Sequence, residues 1–222
     1  LPFSGNVRAS SVKLKDIKVL KDAGLSFVQM GVETGDIEAA KTIFLRDTTN
    51  ERILTVSKWF RDENVKILSL NIMGLPVDNP FEVDLQTLDL NLKIKPAFAS
   101  VGLLYPYPGT AVSRTAVASG HFDDENPKFL ETNKRSSMLT YKSAKEKRKV
   151  ENLQKLTGLV VEFPFLRVFV PFLCKMPFTG FYHFLFYLHL GYCHKIRLSR
   201  IRNIFIELPI LTGLWFNLVK KS

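Results

Sequence analysis

Between residues 5 and 120, short apolar runs alternate four times with amphipathic stretches of helical period. Short apolar runs are typical of buried strands, whereas apolar residues three and four apart are typical of helices with one buried face. Repeated strand and helix units place their strands side by side in a parallel sheet, with the helices packed against it. This alternation therefore predicts an α/β chain over the first half of the sequence.

Four strands are expected in this region, near residues 6–9, 25–32, 66–73 and 98–104. Thr48, with Glu51 three residues later, has the spacing of a capping box and predicts the start of a helix. Asn79 before Pro80 predicts a second helix start. A last helix is expected from about residue 110 to 119, with Gly120 as its stop.

The regular alternation ends at residue 120. An acidic loop follows at 121–127, then a basic segment at 142–149 and an aromatic-rich stretch with helical spacing. We therefore divide the chain into an α/β region at 1–120, a linker and basic helix at 121–150, and a helical tail at 151–222.

Basic residues are concentrated in the second part of the chain. Residues 1–133 hold 15 basic and 17 acidic side chains, whereas residues 134–222 hold 16 and 4. The net charge of +10 is thus a property of the tail rather than of the α/β region. Because the tail has few strand signals and many aromatic residues, it is unlike a β-barrel RNA-binding domain, and we predict no nucleic-acid partner.

Residues 176–194 form a stretch of 19 residues without an Asp, Glu, Lys or Arg, close to the roughly 20 needed to span a bilayer. Three histidines, Pro177 and seven aromatic residues suit a membrane interface better than a lipid core. Three alternatives stay open: helices packed on the barrel or another subunit, peripheral contact with the membrane surface, and a span. Basic residues that would meet anionic headgroups are Arg197, Arg200, Arg202, Lys220 and Lys221.

The sequence contains two cysteines, Cys174 and Cys193. Two are too few for a disulfide framework or a cysteine-ligated cluster, so a cytoplasmic location is expected, with association at the membrane surface as the alternative. The sequence offers no set of metal ligands.

Four short motifs follow one another in order: MGVETG at 30–35, FLRDTT at 44–49, NIMGLP at 71–76 and YPYPGT at 105–110. Each is predicted at or just after the end of a strand. In a parallel α/β barrel the loops after the strands gather at one face, where ligands bind. The four motifs are therefore expected to form one ligand site.

The first two motifs supply charged candidates. Glu33 could accept hydrogen bonds from ribose hydroxyls or a substrate ammonium, or it could be a capping or salt-bridged glutamate. At Thr34 and Gly35, which follow it, a main-chain amide could approach a ligand closely. The Arg46 guanidinium matches the two oxygens of a carboxylate. The alternative for Arg46 is a surface pair with Asp47 or Glu51.

The third motif offers Asn71 as a polar contact, Ile72 as an apolar wall and Gly74 as a position of close backbone approach. Asp78 has two interpretations, as a ligand contact or as a cap for the next helix. Arg8, in the first predicted strand, either points into the barrel near substrate or pairs at its rim.

In the fourth motif, Pro108 and Gly109 form a rigid loop that shapes a pocket wall before a helix begins at Thr110. Tyr105 and Tyr107 could stack or donate a hydrogen bond there, although a buried structural tyrosine is the commoner case.

This ordered set of motifs resembles radical S-adenosylmethionine (SAM) enzymes. It is most similar to the subgroup with cobalamin-binding domains, which includes anaerobic magnesium-protoporphyrin ester cyclases and C-methylases. The resemblance implies the last four strand-helix units of a partial (β/α)6 TIM-like barrel, followed by an α-helical tail. It also implies that Glu33 contacts the SAM ribose or amino group and that Arg46 approaches the methionyl carboxylate. Residues 71–76 would run beside the adenine, with Asn71 as the polar residue that reaches the ribose. Residues 105–110 would lie along the adenine and the substrate space.

The cofactors implied are SAM, a 4Fe-4S cluster and, as an open alternative, cobalamin. Because the CxxxCxxC loop of this family is not found in the 222 residues, we expect the cluster ligands and any cobalamin domain to lie outside this chain, which would then be a fragment. The expected function is radical SAM chemistry on a small-molecule substrate, such as methylation, cyclisation or other C–H functionalisation. The alternative is a catalytically inactive barrel that acts as a membrane-surface or partner-binding module.

Overall fold

The computed structural model describes residues 1–124 and 132–193, and a sheet of four parallel strands lies at its centre. The strands are β1 (Phe3–Val7), β2 (Leu25–Glu33), β3 (Lys66–Met73) and β4 (Phe98–Leu103), and they pair in that order. The helices between them are α1 (Leu14–Asp22), α2 (Ile37–Thr42), α3 (Asn50–Asp62) and α4 (Pro80–Ile94). After β4 come α5 (Ala111–Ala118), α6 (Ala144–Glu162), a 3-10 helix (Pro164–Phe169), α7 (Val170–Leu173) and α8 (Thr179–Tyr192). The predicted α/β class and the helical C-terminal region are confirmed.

The two faces of the sheet have different environments. In β2, Val28 and Met30 are buried in a core with side chains of α1 and α3, whereas the alternate residues Gln29, Gly31 and Glu33 are only half buried. Successive side chains of a strand point to opposite faces, so this pattern separates a helix-covered face from a more open one. The open face is therefore where β2 can present polar groups to a ligand.

Helix α6 and the segment at Asn133 that precedes it both bond to the backbone of β4, the last strand of the sheet. Gln154 Nε2 donates to the carbonyl of Val101 at 2.9 Å, and Leu103 N donates to the carbonyl of Asn133 at 2.8 Å. These bonds satisfy backbone groups that an edge strand would otherwise leave unpaired. Helix α6 is also continuous through residue 150, where the sequence indicated a boundary, because Val150 lies in the middle of its buried face.

Two predicted boundaries are wrong by one to three residues. Strand β1 begins at Phe3 rather than near residue 6, because Phe3 N donates to the carbonyl of Gly24 and Phe3 pairs with Leu25. Helix α3 is capped by Thr49 rather than Thr48, since the Thr49 side chain accepts from the backbone N–H of Arg52. The other strand and helix positions of the first 120 residues agree with the sequence pattern to within about two residues.

Among the residues described, no helix combines the length and apolarity required to cross a membrane. Part of the acidic loop lies outside the described residues. So do the basic residues predicted to meet headgroups, which are Arg197, Arg200, Arg202, Lys220 and Lys221.

Candidate functional site

Strand β2 ends in an unusual turn at Glu33. This residue has a φ of 62°, and the flanking Thr34 N donates to the carbonyl of Val32 at 2.9 Å. The pairing register with β3 also shifts between Gly31 and Glu33. Positive φ in a residue other than glycine is uncommon and costs about 1–3 kcal/mol, and such residues cluster at ligand and active sites. The backbone of Glu33 therefore marks the end of β2 as a candidate site.

Arg46 comes to this carboxylate from the segment after α2. Leu45 has a φ of 51°, and Arg46 N donates back to the carbonyl of Ala40 at 2.9 Å, which turns the chain toward the sheet. Arg46 Nη2 then donates to Glu33 Oε1 at 2.7 Å. Its carboxylate partner is thus Glu33, rather than either of the acidic neighbours considered from the sequence. Within residues 1–124 and 132–193 this is the one hydrogen bond of the guanidinium, so its other N–H groups can donate to a second acceptor.

Gly31 lies directly beneath the pair. A Cβ on Gly31 would be 2.9 Å from Glu33 Oε1 and 3.3 Å from Arg46 Nη1. Residues 31 and 33 share a face because side chains alternate along a strand. The sequence interpretation did not include Gly31, although its spacing of two from Glu33 was the available signal.

One glutamate and two arginines determine the electrostatics of the site. Burial raises the pKa of Glu33 above its ordinary value, and the positive charges of Arg46 and Arg8 oppose that rise. Arg8 is exposed and directly follows β1, so it lies at the rim of the same strand ends. With Glu33 ionised, the three groups carry one net positive charge, which favours an anionic group such as a carboxylate.

Thr34 and Gly35 hold the loop against α4. The Thr34 hydroxyl is buried and forms a hydrogen bond with Thr87 Oγ1 at 3.3 Å. Gly35 N donates to the same Thr87 oxygen at 2.9 Å. A Cβ on Gly35 would collide with the backbone of α4 at Gln86 O and, at 2.8 Å, at Thr87 N. We therefore correct the predicted role of Thr34 and Gly35: their main-chain N–H groups donate to the Val32 carbonyl and to Thr87 Oγ1, and are not presented to a cofactor.

Asn71 points into the helix-covered side of the sheet. Its Nδ2 donates to the carbonyl of Ser100 at 3.1 Å, and its Oδ1 accepts from Asn91 Nδ2 of α4 at 2.7 Å. Only 4% of the residue is exposed. Adjacent strand residues face opposite ways, so Asn71 and Ile72 cannot both line one pocket. Ile72 is on the more open face, and the predicted contact of Asn71 with a ribose is wrong.

At Gly74 the close approach that the sequence predicted is made by a tyrosine. Gly74 has a φ of 72°, and a Cβ there would lie 2.6 Å from Tyr141 Oη, which donates to the carbonyl of Gly74. Gly74 N donates to both carboxylate oxygens of Asp84, at 3.0 and 3.1 Å. The backbone of Gly74 is therefore occupied by protein groups. The sequence interpretation missed Tyr141 and Asp84, and Asp84 in the apolar stripe of α4 was a usable signal.

Asp84 is fully buried, and this burial raises its pKa well above the ordinary aspartate value, while the hydrogen bond from Gly74 opposes the rise. Asp78, whose role the sequence left open, is exposed and pairs with Lys142 Nζ at 2.9 Å. Asp84 and Asp78 are thus bonded to Gly74 and Lys142, whereas Glu33 is the carboxylate that pairs with Arg46.

The loop after β4 is fixed by its own contacts. The rings of Tyr105 and Tyr107 lie 4.5 Å apart between centroids, and Thr110 Oγ1 accepts from Ser113 N to begin α5. Pro108 and Gly109 are exposed. They border a cavity of about 390 Å³ against α5, which is also lined by Ser113, Arg114, Val117 and Phe122. Ligand contacts by Tyr105, Pro108 and Gly109 stay predictions.

A cysteine-ligated cluster does not fit the cysteines of this chain. Cys174 lies in the core between α6 and α7, and burial raises the pKa of its thiol to about 12, whereas a ligand must be a thiolate. Cys193 is also fully buried. Among the described residues, no three His, Cys, Asp or Glu side chains are grouped to hold a metal ion.

The fold is similar to that of coproporphyrinogen III oxidase (HemN) from Escherichia coli, a radical SAM enzyme. The TM-score is 0.50 and the sequence identity 20%, and the match covers 74% of this chain and 32% of that chain. A second similar structure is that of TsrM, a radical SAM methyltransferase from Kitasatospora setae, with cobalamin and a 4Fe-4S cluster bound. The TM-score is 0.46 and the sequence identity 14%, and the match covers 60% of this chain and 27% of that chain. No protein-family model and no curated protein matches this chain.

This chain thus spans about a third of the length of the first of these enzymes. The likeness concerns the fold: four parallel strands that alternate with helices, followed by a helical C-terminal region.

Proposed function

We propose that this chain forms part of the SAM-binding site of a radical SAM enzyme. The observation on which the proposal rests is the Arg46 and Glu33 pair above Gly31, at the end of a parallel strand and on the open face of the sheet. The four ordered motifs and the fold likeness to a radical SAM enzyme support the superfamily. The cobalamin-binding subgroup is a finer proposal, supported by the motifs alone.

Arg46 would bind the methionyl carboxylate of SAM through the N–H groups that Glu33 does not use. A guanidinium fork can bind two carboxylates on different edges, and charge-assisted bonds of this type are among the stronger ones in proteins. Glu33 would accept hydrogen bonds from the ammonium group or the ribose hydroxyls of the same ligand. The positive charge of Arg8 would add to the attraction for the carboxylate.

The nucleoside end of SAM would extend toward β3 and β4. Neighbouring strands lie about 4.8 Å apart, so β2 and β4 are separated by about 10 Å, a distance that one nucleoside with an amino-acid substituent can bridge. Ile72 would supply an apolar wall and Tyr105 an aromatic face for the adenine. Pro108 and Gly109 would form the outer wall toward the substrate.

When SAM is bound beside a 4Fe-4S cluster, it supplies radical chemistry that functionalises C–H bonds of a small-molecule substrate. Because Cys174 and Cys193 do not fit a cluster, we propose that the cluster ligands lie outside these residues. The residues of this chain would bind and orient SAM.

Titration calorimetry of the 222-residue chain with SAM tests this function. We expect measurable binding that is weakened about tenfold or more in Arg46→Ala, as a lost hydrogen bond to a charged group costs about 1.5–3 kcal/mol. Arg167→Ala is the matched control, since Arg167 pairs with Asp89 outside the site and its side chain is 28% exposed, compared with 29% for Arg46. Absence of SAM binding by the unchanged chain, or equal binding by Arg46→Ala, would overturn the proposal.

A further inference from the structure

The helices after α6 expose several large apolar side chains. We call this surface the aromatic face and define it by Phe165, Val168, Phe169, Phe172, Phe181 and Leu188. Val168 is 80% exposed, Phe165 68% and Phe172 61%, although most large apolar residues of the sheet region are buried. An exposed patch of this kind on a folded protein marks an interaction surface.

The opposite sides of the same helices are already packed. Val170 and Cys174 are fully buried against α6, and Tyr182 of α8 is 4% exposed. Along α8, Phe181 and Leu188 share an outer stripe, seven residues apart, while Tyr182 and Phe186 face inward. A helix that is apolar on both sides is covered on both sides in its working state. The exposed stripe of Phe181 and Leu188 is therefore expected to contact another apolar surface.

The charges beside the aromatic face are predominantly positive. Residues 163–193 contain no aspartate or glutamate. A groove of about 660 Å³ adjoins the face at Lys175, which is three residues after Phe172 and whose backbone N–H donates to the Phe172 carbonyl. The groove is lined by four basic residues, Lys145, Arg148, Lys149 and Lys175, against two acidic ones, Glu82 and Glu146.

We propose that the aromatic face docks the protein on an anionic membrane surface, with Lys145, Arg148, Lys149 and Lys175 directed to the lipid headgroups. Phenylalanine and aliphatic side chains enter the boundary between headgroups and acyl chains, and basic residues beside them add electrostatic attraction. The 14 residues of α8 give a length of about 21 Å, shorter than the roughly 30 Å hydrocarbon layer, so α8 would lie in the plane of the membrane. This docking is independent of SAM binding.

Flotation of the complete chain with vesicles tests the docking. We expect binding to vesicles of phosphatidylcholine with phosphatidylglycerol, much weaker binding to pure phosphatidylcholine, and release by high salt. Lys175→Gln is expected to lower the affinity about fivefold, the effect of one basic residue near an anionic surface. Lys15→Gln, an exposed lysine of α1, is the matched control and should bind like the unchanged chain.

For the apolar contacts, Val168→Ser is expected to weaken vesicle binding, and Phe165→Ser with Phe172→Ser to reduce it at least about tenfold. Val19→Ser on α1, where Val19 is 68% exposed, is the control. Unchanged thermal unfolding of each variant shows that the fold is intact. The proposal is overturned if the complete chain does not float with anionic vesicles, or if the face variants and the controls bind equally. It is also overturned if light scattering shows a dimer that the face variants abolish, because a second copy would then be the occupant.

Discussion

Arg46 Nη2 lies 2.7 Å from Glu33 Oε1, across the open end of β2 and directly above Gly31. The contact depends on two residues with positive φ, Glu33 and Leu45, which turn the two segments toward each other. Strained backbone of this kind persists where the surrounding structure holds it in place. The pair is therefore a preformed arrangement, and its neighbours provide direct tests of its role.

Gly31→Ala is expected to reduce SAM affinity about tenfold with little loss of stability, because the new Cβ meets the ends of the Glu33 and Arg46 side chains rather than backbone, and displaces one charge-assisted hydrogen bond. Calorimetric titration and thermal unfolding measure the two effects. Gly5→Ala on β1, where a Cβ has nothing within 4 Å, is the control. Equal SAM affinity in both variants would show that the space above Gly31 is not used by the ligand.

Asn71→Ala is expected to lower the free energy of unfolding by about 2 kcal/mol and to leave SAM affinity unchanged, since buried partners such as Asn91 lose their hydrogen bonds. Asn6→Ala, at an exposed position of β1, should change stability by less than about 0.5 kcal/mol. Urea unfolding gives the stabilities. A large drop in SAM affinity without a loss of stability would restore Asn71 to the ligand site.

Asp84 is expected to make stability depend on pH. Its folded pKa is raised well above 3.8, so the folded protein keeps a proton at pH values where the unfolded chain has lost it. The unfolding free energy should therefore fall as pH rises from about 3.8 through the raised pKa. Asp84→Asn removes this titration and keeps an oxygen that can accept from Gly74.

Urea unfolding at a series of pH values compares the slopes, and the expected result is a flatter profile for Asp84→Asn. The control is Asp62→Asn, which makes the same change at an exposed aspartate paired with Lys58. Parallel profiles for Asp84→Asn and the unchanged chain would mean that Asp84 does not titrate in this window.

Gly35→Ala is expected to destabilise the fold by about 3 kcal/mol, because the Cβ meets the α4 backbone, which cannot move aside as a side chain can. Gly180→Ala, in the first turn of α8 with open space around the Cβ, should be neutral or stabilising by up to about 1 kcal/mol. Chemical unfolding measures both. Similar stabilities for the two variants would show that the loop after β2 is not held tightly against α4.

Local patterns were sufficient to predict the strands and helices of the first 120 residues, as β3 and the start of α4 at Pro80 illustrate. They were not sufficient for side-chain partners. Asn71 was misassigned because one residue decides which face of a strand a side chain occupies. Tyr141 lies 67 positions from Gly74, and no local pattern indicates that contact. The Arg46 and Glu33 pair could not be derived because it depends on backbone angles rather than on spacing.

The central claim is that Arg46 binds the methionyl carboxylate of SAM. The most direct measurement compares the affinities of SAM and 5′-methylthioadenosine, which lacks that carboxylate, for the unchanged chain and for Arg46→Ala. The proposal predicts that the substitution weakens SAM binding about tenfold or more and leaves 5′-methylthioadenosine binding unchanged. Equal losses for the two ligands, or no loss for SAM, would contradict it.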